Sequence, residues 1–172
     1  MSAVPLAEVR AYLGTDADDD TALQEAINTA ELYASSKLGG PLLATAVTQR
    51  CRGYGQALVL EQLPVISVTS VTDSSNGALV VANLDVDTTH GLIHWNPYGD
   101  IIFPFPFYTV VYQAGYATLP ADLVQAVKSR TSYIWAGQRG PTTRGSDPEA
   151  EANAERARAD AILAQTLTHG YA

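Results

Sequence analysis

Residues 109–135 constrain this chain more than any other stretch: TVVYQAGYATLPADLVQAVKSRTSYIW. β-Branched and aromatic residues from Phe107 to Tyr112 predict a strand on a pleated, half-buried surface. Gly115 breaks that pattern. Pro120 suits the first turn of a helix, where a missing N–H costs nothing, and Asp122 sits where the helix dipole favours an anion. Leu123, Val124, Val127, Ile134 and Trp135 then recur at helical spacing. A long strand that hands over to a core helix in so few residues demands a fold with both a sheet and packed helices.

The rest of the chain supplies partners for that junction. Residues 5–13 predict a short helix with Pro5 in its first turn, Leu6, Val9 and Leu13 on one face, and Gly14 as its stop. After an acidic loop (16–20), residues 19–38 predict a long helix. Leu23, Ala26, Ile27, Ala30, Ala34 and Leu38 form its apolar stripe, and Gly39-Gly40-Pro41 ends it. Between 46 and 112 the period changes from helical to alternating. Strands are expected over 56–61, 65–72, 78–82, 85–88 and 92–95, with Pro64 at an edge or corner. The run 73–77, Asp-Ser-Ser-Asn-Gly, predicts a hairpin turn, and Thr89-His90-Gly91 predicts a second turn.

Residues 96–107 are proline-rich yet apolar, with Ile101, Ile102, Phe103, Phe105 and Phe107. Such a segment either folds back on the core or forms a surface for a partner. Residues 138–147 read as a linker. Ser146-Asp147-Pro148-Glu149 fits a capping box before an alanine-rich helix over 150–167, whose apolar face is thin until Ile162, Leu163 and Leu167.

Composition narrows the function. The 172 residues carry 18 acidic against 10 basic side chains, a formal net charge of −8. A protein that grips DNA phosphates needs a basic patch or stripe, and the arginines here are scattered. No apolar run approaches a membrane span, and the N-terminal residues lack the basic and apolar regions of a secretory signal. Cys51 is the only cysteine, so no internal disulfide forms and a reducing compartment is the default.

No set of residues predicts catalysis. Asp16-x-Asp18-x-Asp20 starts like a calcium loop, but Thr21 stands where glycine is needed and Ile27 where a bidentate glutamate belongs, so helix capping is the better account. His90 and His94 fall on a turn and a strand, some ~13 Å apart at a strand's rise, which is no ligand pair. Cys51 is flanked by Arg50 and Arg52, yet in a strand those cations point to the opposite face, which leaves a small buried thiol. Glu61, Asp85, Asp87 and Asp100 could be paired by a fold, but spacing alone does not pair them. Arg130, Arg139 and Arg144 gather toward the end of the core helix, as cations complementing its dipole or as a basic patch for an acidic partner.

The order of these signals resembles a known family. LAEVRAYLG (6–14), an Asp-rich loop, the long helix 19–38, LPVISVTSV (63–71), the Asp/Asn/Gly hairpin, VYQAGYA (111–117) and LPADLVQAV (119–127) follow one another as in the head–tail connector, or adaptor, proteins of long-tailed bacteriophages. The resemblance covers about residues 5–137. It implies a structural virion protein of the neck, not an enzyme and without cofactor or metal. Such a protein assembles in the host cytoplasm into a cyclic homo-oligomer, commonly of twelve subunits. The ring sits beneath the portal protein, meets a stopper or tail protein, and lets DNA pass without specific binding. In relatives a C-terminal segment embraces the portal, and residues 150–167 are the equivalent here. Another neck component, such as a stopper or tail-completion protein, is the alternative, and a small hydrolase using Cys51 or a carboxylate pair is a distant one.

The expected fold is therefore α+β: a helix pair and a core helix packed on a small antiparallel sheet, with a tethered C-terminal helix. The expected division is a connector core (1–137), a linker (138–147) and a helical tail (148–172). Tyr112, Gly115, Tyr116 and Pro120 define the fold at the junction. Ile101, Phe103, Phe105, Arg139, Arg144, Arg156, Arg158, Ile162 and Leu167 are the candidate partner contacts.

Overall fold

The structure, a computed structural model, describes residues 2–16, 19–95, 102–139 and 148–169. Its helices are α1 (Leu6–Leu13), α2 (Asp20–Leu38), α3 (Ala121–Arg139) and α4 (Pro148–His169). Its strands are β1 (Thr45–Arg52), β2 (Ala57–Val59), β3 (Val65–Asp73), β4 (Ala78–Leu79), β5 (Asp85–Asp87), β6 (Leu92–His94) and β7 (Phe107–Ala114). The fold is α+β, with all strand pairs antiparallel. Contacts group the chain into a helical unit (residues 1–38 and 119–170) and a β unit (39–118). α4 lies in the same unit as α1–α3.

In the helical unit, Pro5 precedes α1 and Gly14 closes it in the left-handed region, φ 64, with its N–H donating to the Arg10 carbonyl. The stripe expected on α2 is buried as a whole: Leu23, Ala26, Ile27, Ala30, Ala34 and Leu38. Its alanines let α3 and α4 approach closely. From α3 come Leu123, Ala126, Val127 and Trp135; from α4, Ala159 and Leu163. Full burial of each large aliphatic side chain contributes about 1.5–3 kcal/mol. The two fully buried polar residues of α3 are satisfied locally. Thr131 Oγ1 donates to the Val127 carbonyl (2.8 Å), and Ser129 Oγ accepts from Gln125 Nε2 (3.4 Å).

The β unit holds a four-stranded sheet of order β1-β7-β3-β4 and a three-stranded sheet of order β2-β6-β5. Their inner faces share one core, with Cys51, Val71, Tyr108, Val110 and Tyr112 from the larger sheet and Leu58 and Ile93 from the smaller. β7 alternates cleanly, burying Tyr108, Val110, Tyr112 and Ala114. β3 does not alternate cleanly. Register shifts between Val65 and Ser67 and between Val68 and Ser70 interrupt its pairing with β7. The 73–77 turn forms as expected, with Asn76 at φ 66 and Asp73 Oδ1 accepting from the Ser75 and Gly77 N–H groups. The returning strand is only Ala78–Leu79 before a short 3-10 helix, Val81–Asn83, takes over.

The junction itself is set by backbone contact. Gly115 has φ 103; its N–H donates to the Pro64 carbonyl, and Tyr116 bridges to Leu43. The Pro120 carbonyl then accepts the first helical bond of α3, from Val124 N (3.0 Å).

Candidate interaction surfaces

Of the residues singled out for chemistry, Cys51 is buried and His90 is engaged, while Asp18 and Asp100 lie outside the described residues. Cys51 lies inside the β unit, its thiol donating to the Val59 carbonyl (3.4 Å). Burial, helped by the Glu61 charge, pushes its pKa up to about 11. A thiol so raised carries almost no nucleophilic thiolate at neutral pH. His90 Nδ1 meets Asp87 Oδ2 (2.6 Å), and the same carboxylate accepts from the Thr89 and His90 backbone N–H groups. Those bonds, with the backbone of His90 first, hold Asp87 below the usual carboxylate range. His94 sits across the sheet from Asp85. Among the described residues no three His, Cys, Asp or Glu side chains come together to hold a metal ion. Among the same residues no helix is long and apolar enough to cross a membrane.

Of the junction residues, Tyr112 is fully buried. Its hydroxyl donates to Gln49 Oε1 (2.8 Å) and accepts from the Gln62 N–H (3.2 Å), joining β7 to β1 and to the segment after β2. Burial raises its phenol pKa.

The expected partner contacts divide. Ile101 and Arg144 lie outside the described residues, as do the side chains of Arg139 and Leu167. Phe103 is corrected to a core residue: it is fully buried, and its ring meets Trp95 at 5.3 Å and Tyr108 at 5.1 Å. The described part of the apolar loop, residues 102–107, divides. Phe103 folds in, while Ile102 and Phe105 stay exposed. The backbone fixes this arrangement, Tyr54 N–H donating to the Phe103 carbonyl and Gly53 N–H to that of Pro106. On α4, Arg156 and Arg158 are exposed and Ile162 is half-buried. Arg156 pairs loosely with Asp160 (3.9 Å) and lies 5.7 Å from the centre of the Tyr133 ring.

Two groupings were missed in the sequence. The guanidinium of Arg130 lies over the rings of Tyr33 (4.0 Å) and Tyr133 (5.0 Å). Tyr33 also donates to Asp160 Oδ1 (2.6 Å), a bond that raises its phenol pKa, so aromatic and charged groups of α2, α3 and α4 meet in one cluster. Helical spacing places each of these residues on its own helix but does not say which helices meet. The second grouping is Arg50, stacked 3.8 Å over the Phe107 ring on the outer face of the large sheet. The strand alternation around Cys51 already turned Arg50 outward; the register with β7 supplies its partner.

Chains from gene transfer agent particles share this α+β fold. The chain aligns with one from the neck of an empty gene transfer agent particle computed with C6 symmetry, at 23% identity and TM-score 0.61, covering 90% of this chain and 89% of that one. A chain from the neck of a native particle computed with C12 symmetry aligns at 21% identity and TM-score 0.62, covering 90% and 88%. A chain from the virion of a native gene transfer agent particle gives 22% and 0.60, covering 90% and 89%. These likenesses establish a shared fold. No family model matches the sequence, and no curated protein does.

Proposed function

We propose that the chain is a structural neck protein of a phage-like particle: an adaptor that forms a homo-oligomeric ring beneath the portal, extends the DNA channel and receives a stopper or tail protein. The observation that carries this reading is the near full-length fold match to chains of gene transfer agent particles, two of them from necks computed with C6 and C12 symmetry. The ordered sequence motifs of residues 5–137 point independently to the same family. The net charge of −8 suits a channel that repels DNA phosphates rather than holding them. In this reading the chain needs no cofactor and performs no catalysis, and assembly takes place in the host cytoplasm before the protein becomes part of the virion. The exposed residues of α4, Arg156 and Arg158, are the proposed portal-facing contacts, and Phe105 with Ile102 a contact of the β unit.

The test is electron microscopy of the purified chain mixed with rings of its cognate portal protein. Added density of matching symmetry below the portal supports the adaptor role. Failure to bind portal rings, together with strictly monomeric behaviour alone, refutes it. Binding only to a preassembled adaptor ring reassigns the chain as a stopper.

A further inference from the structure

The β unit presents two unlike faces on opposite sides of one core. On the outer face of the larger sheet, register pairs Arg52 with Phe107 and Arg50 with Thr109, so these side chains stand together. Phe107 is 40% exposed with Arg50 stacked on it. Arg50 and Arg52 are the only lysine or arginine residues between positions 39 and 118. Both lie on this face.

The outer face of the smaller sheet has the opposite character. Since Leu58 and Ile93 point into the core, alternation turns Val59 and Leu92 outward, and register sets Asp87 beside Leu92 and Asp85 beside His94. Val59 is 58% exposed, and Asp85 is exposed. An apolar strip flanked by two carboxylates thus lies behind an aromatic strip flanked by two guanidinium groups. Among the described residues, neither Arg52 nor Asp85 takes part in an ion pair.

Resting on the ring reading above, we propose that these two faces are the two halves of the subunit contact, the Arg50–Arg52–Phe107 face of one copy docking on the Val59–Asp85–Asp87 face of the next. A ring requires heterologous contacts, in which two different patches of one chain meet. Opposite charge on opposite sides of one unit meets that requirement and rejects head-to-head pairing, where like charges would face each other. Nucleic acid is the poorer occupant, since tracking phosphates calls for a basic stripe rather than two cations in an acidic unit.

The test uses the full-length chain and two variants. R50Q/R52E reverses the sign of the first face while keeping an aliphatic stem over Phe107. D85R/D87N reverses the second while keeping a side-chain oxygen for the Thr89 and His90 N–H groups. Ring formation is followed by sedimentation velocity and negative-stain images, alone and on portal rings, with circular dichroism reporting folding. Each variant alone should lose rings or need at least tenfold more protein to form them. A one-to-one mixture should recover them, because every contact in an alternating ring then joins opposite charges. The variant carrying all four substitutions should also recover them. Rings formed by each variant as readily as by the wild type overturn this contact and leave the ring reading standing. So does failure of both the mixture and the four-fold variant while all proteins remain folded. A wild type that forms no ring, alone or on the portal, removes the ring reading and this contact with it.

Discussion

Replacing Gly115 with alanine tests whether the end of β7 is held as tightly as its backbone contacts within the β unit imply. At φ 103 the backbone is in a region that L side chains rarely adopt, which costs about 1–3 kcal/mol. A Cβ there would also sit 2.4 Å from the Leu43 carbonyl oxygen and 2.8 Å from that of Pro41. Both are backbone atoms, so no side chain can swing aside, and relief means moving the 41–43 segment. That movement strains the bonds from Gly115 N–H to Pro64 and from Ala44 N–H to Tyr116. Overpacking of this kind adds about 1–3 kcal/mol, so G115A should destabilise the β unit by about 4 kcal/mol in all.

Urea unfolding gives the total, and hydrogen exchange locates it: β1 and β7 amides should lose roughly three decades of protection. The internal control is Gly137, within α3 and with nothing near its Cβ position, where alanine should stabilise by about 0.5–1 kcal/mol. If G115A unfolds within 1 kcal/mol of the wild type and β7 keeps its protection, the close approach at Leu43 is not a constraint and the reasoning fails.

Other outcomes follow from single contacts. Tyr112→Phe should cost about 0.5–1.5 kcal/mol through loss of the hydroxyl's bonds to Gln49 and from the Gln62 N–H; the shift of the urea midpoint checks it. Tyr33→Phe should weaken the helical unit by about 0.5–1.5 kcal/mol through loss of the bond to Asp160, with hydrogen exchange on α4 as the readout. Cys51 should resist alkylation at pH 8 in the folded protein and react at once in urea. Its folded pKa of about 11 stands above the ordinary 9.0, so the neutral thiol is the form the fold favours. Its contribution is fully present below pH 9 and is lost as pH rises from there through about 11. The C51A variant should therefore show a shallower alkaline decline in thermal stability than the wild type. Asp73 has the opposite sign. Bonds from the Ser75 hydroxyl and the Gly77 N–H, in that order, lower its pKa below 3.8. The turn's contribution should be fully present above pH 3.8 and be lost as pH falls from there through that lowered value, and D73N should remove this acid dependence.

Much of the fold was legible because it is written in local rules. The stripe of α2 is buried residue for residue. Asn76 takes positive φ where Asp-Ser-Ser-Asn-Gly predicted a turn, and the strand ending at Gly115 alternates as expected, though it runs to Ala114 rather than Tyr112. The short pieces were less legible. The segment after the hairpin pairs over only Ala78–Leu79, and the expected strand at 56–61 forms over Ala57–Val59, since strand length depends on how far a partner runs alongside. Phe103 shows the same dependence. Its neighbours Ile102 and Phe105 are equally apolar, but Phe103 packs against both Trp95 and Tyr108 and is buried, while Phe105 packs against Tyr108 and stays exposed.

The sequence alone determined the helices, the turns, the acidic charge and the outward direction of Arg50 and Arg52, because each follows from periodicity or from one residue's backbone preference. Tertiary structure decided which of these meet. It put Arg130 between two tyrosines, placed α4 beside α3, and set Asp85 and Asp87 behind a core whose other side carries Arg50 and Arg52. Those pairings depend on register and on which sheet faces which, and the physical terms that fix register act between residues far apart in the chain.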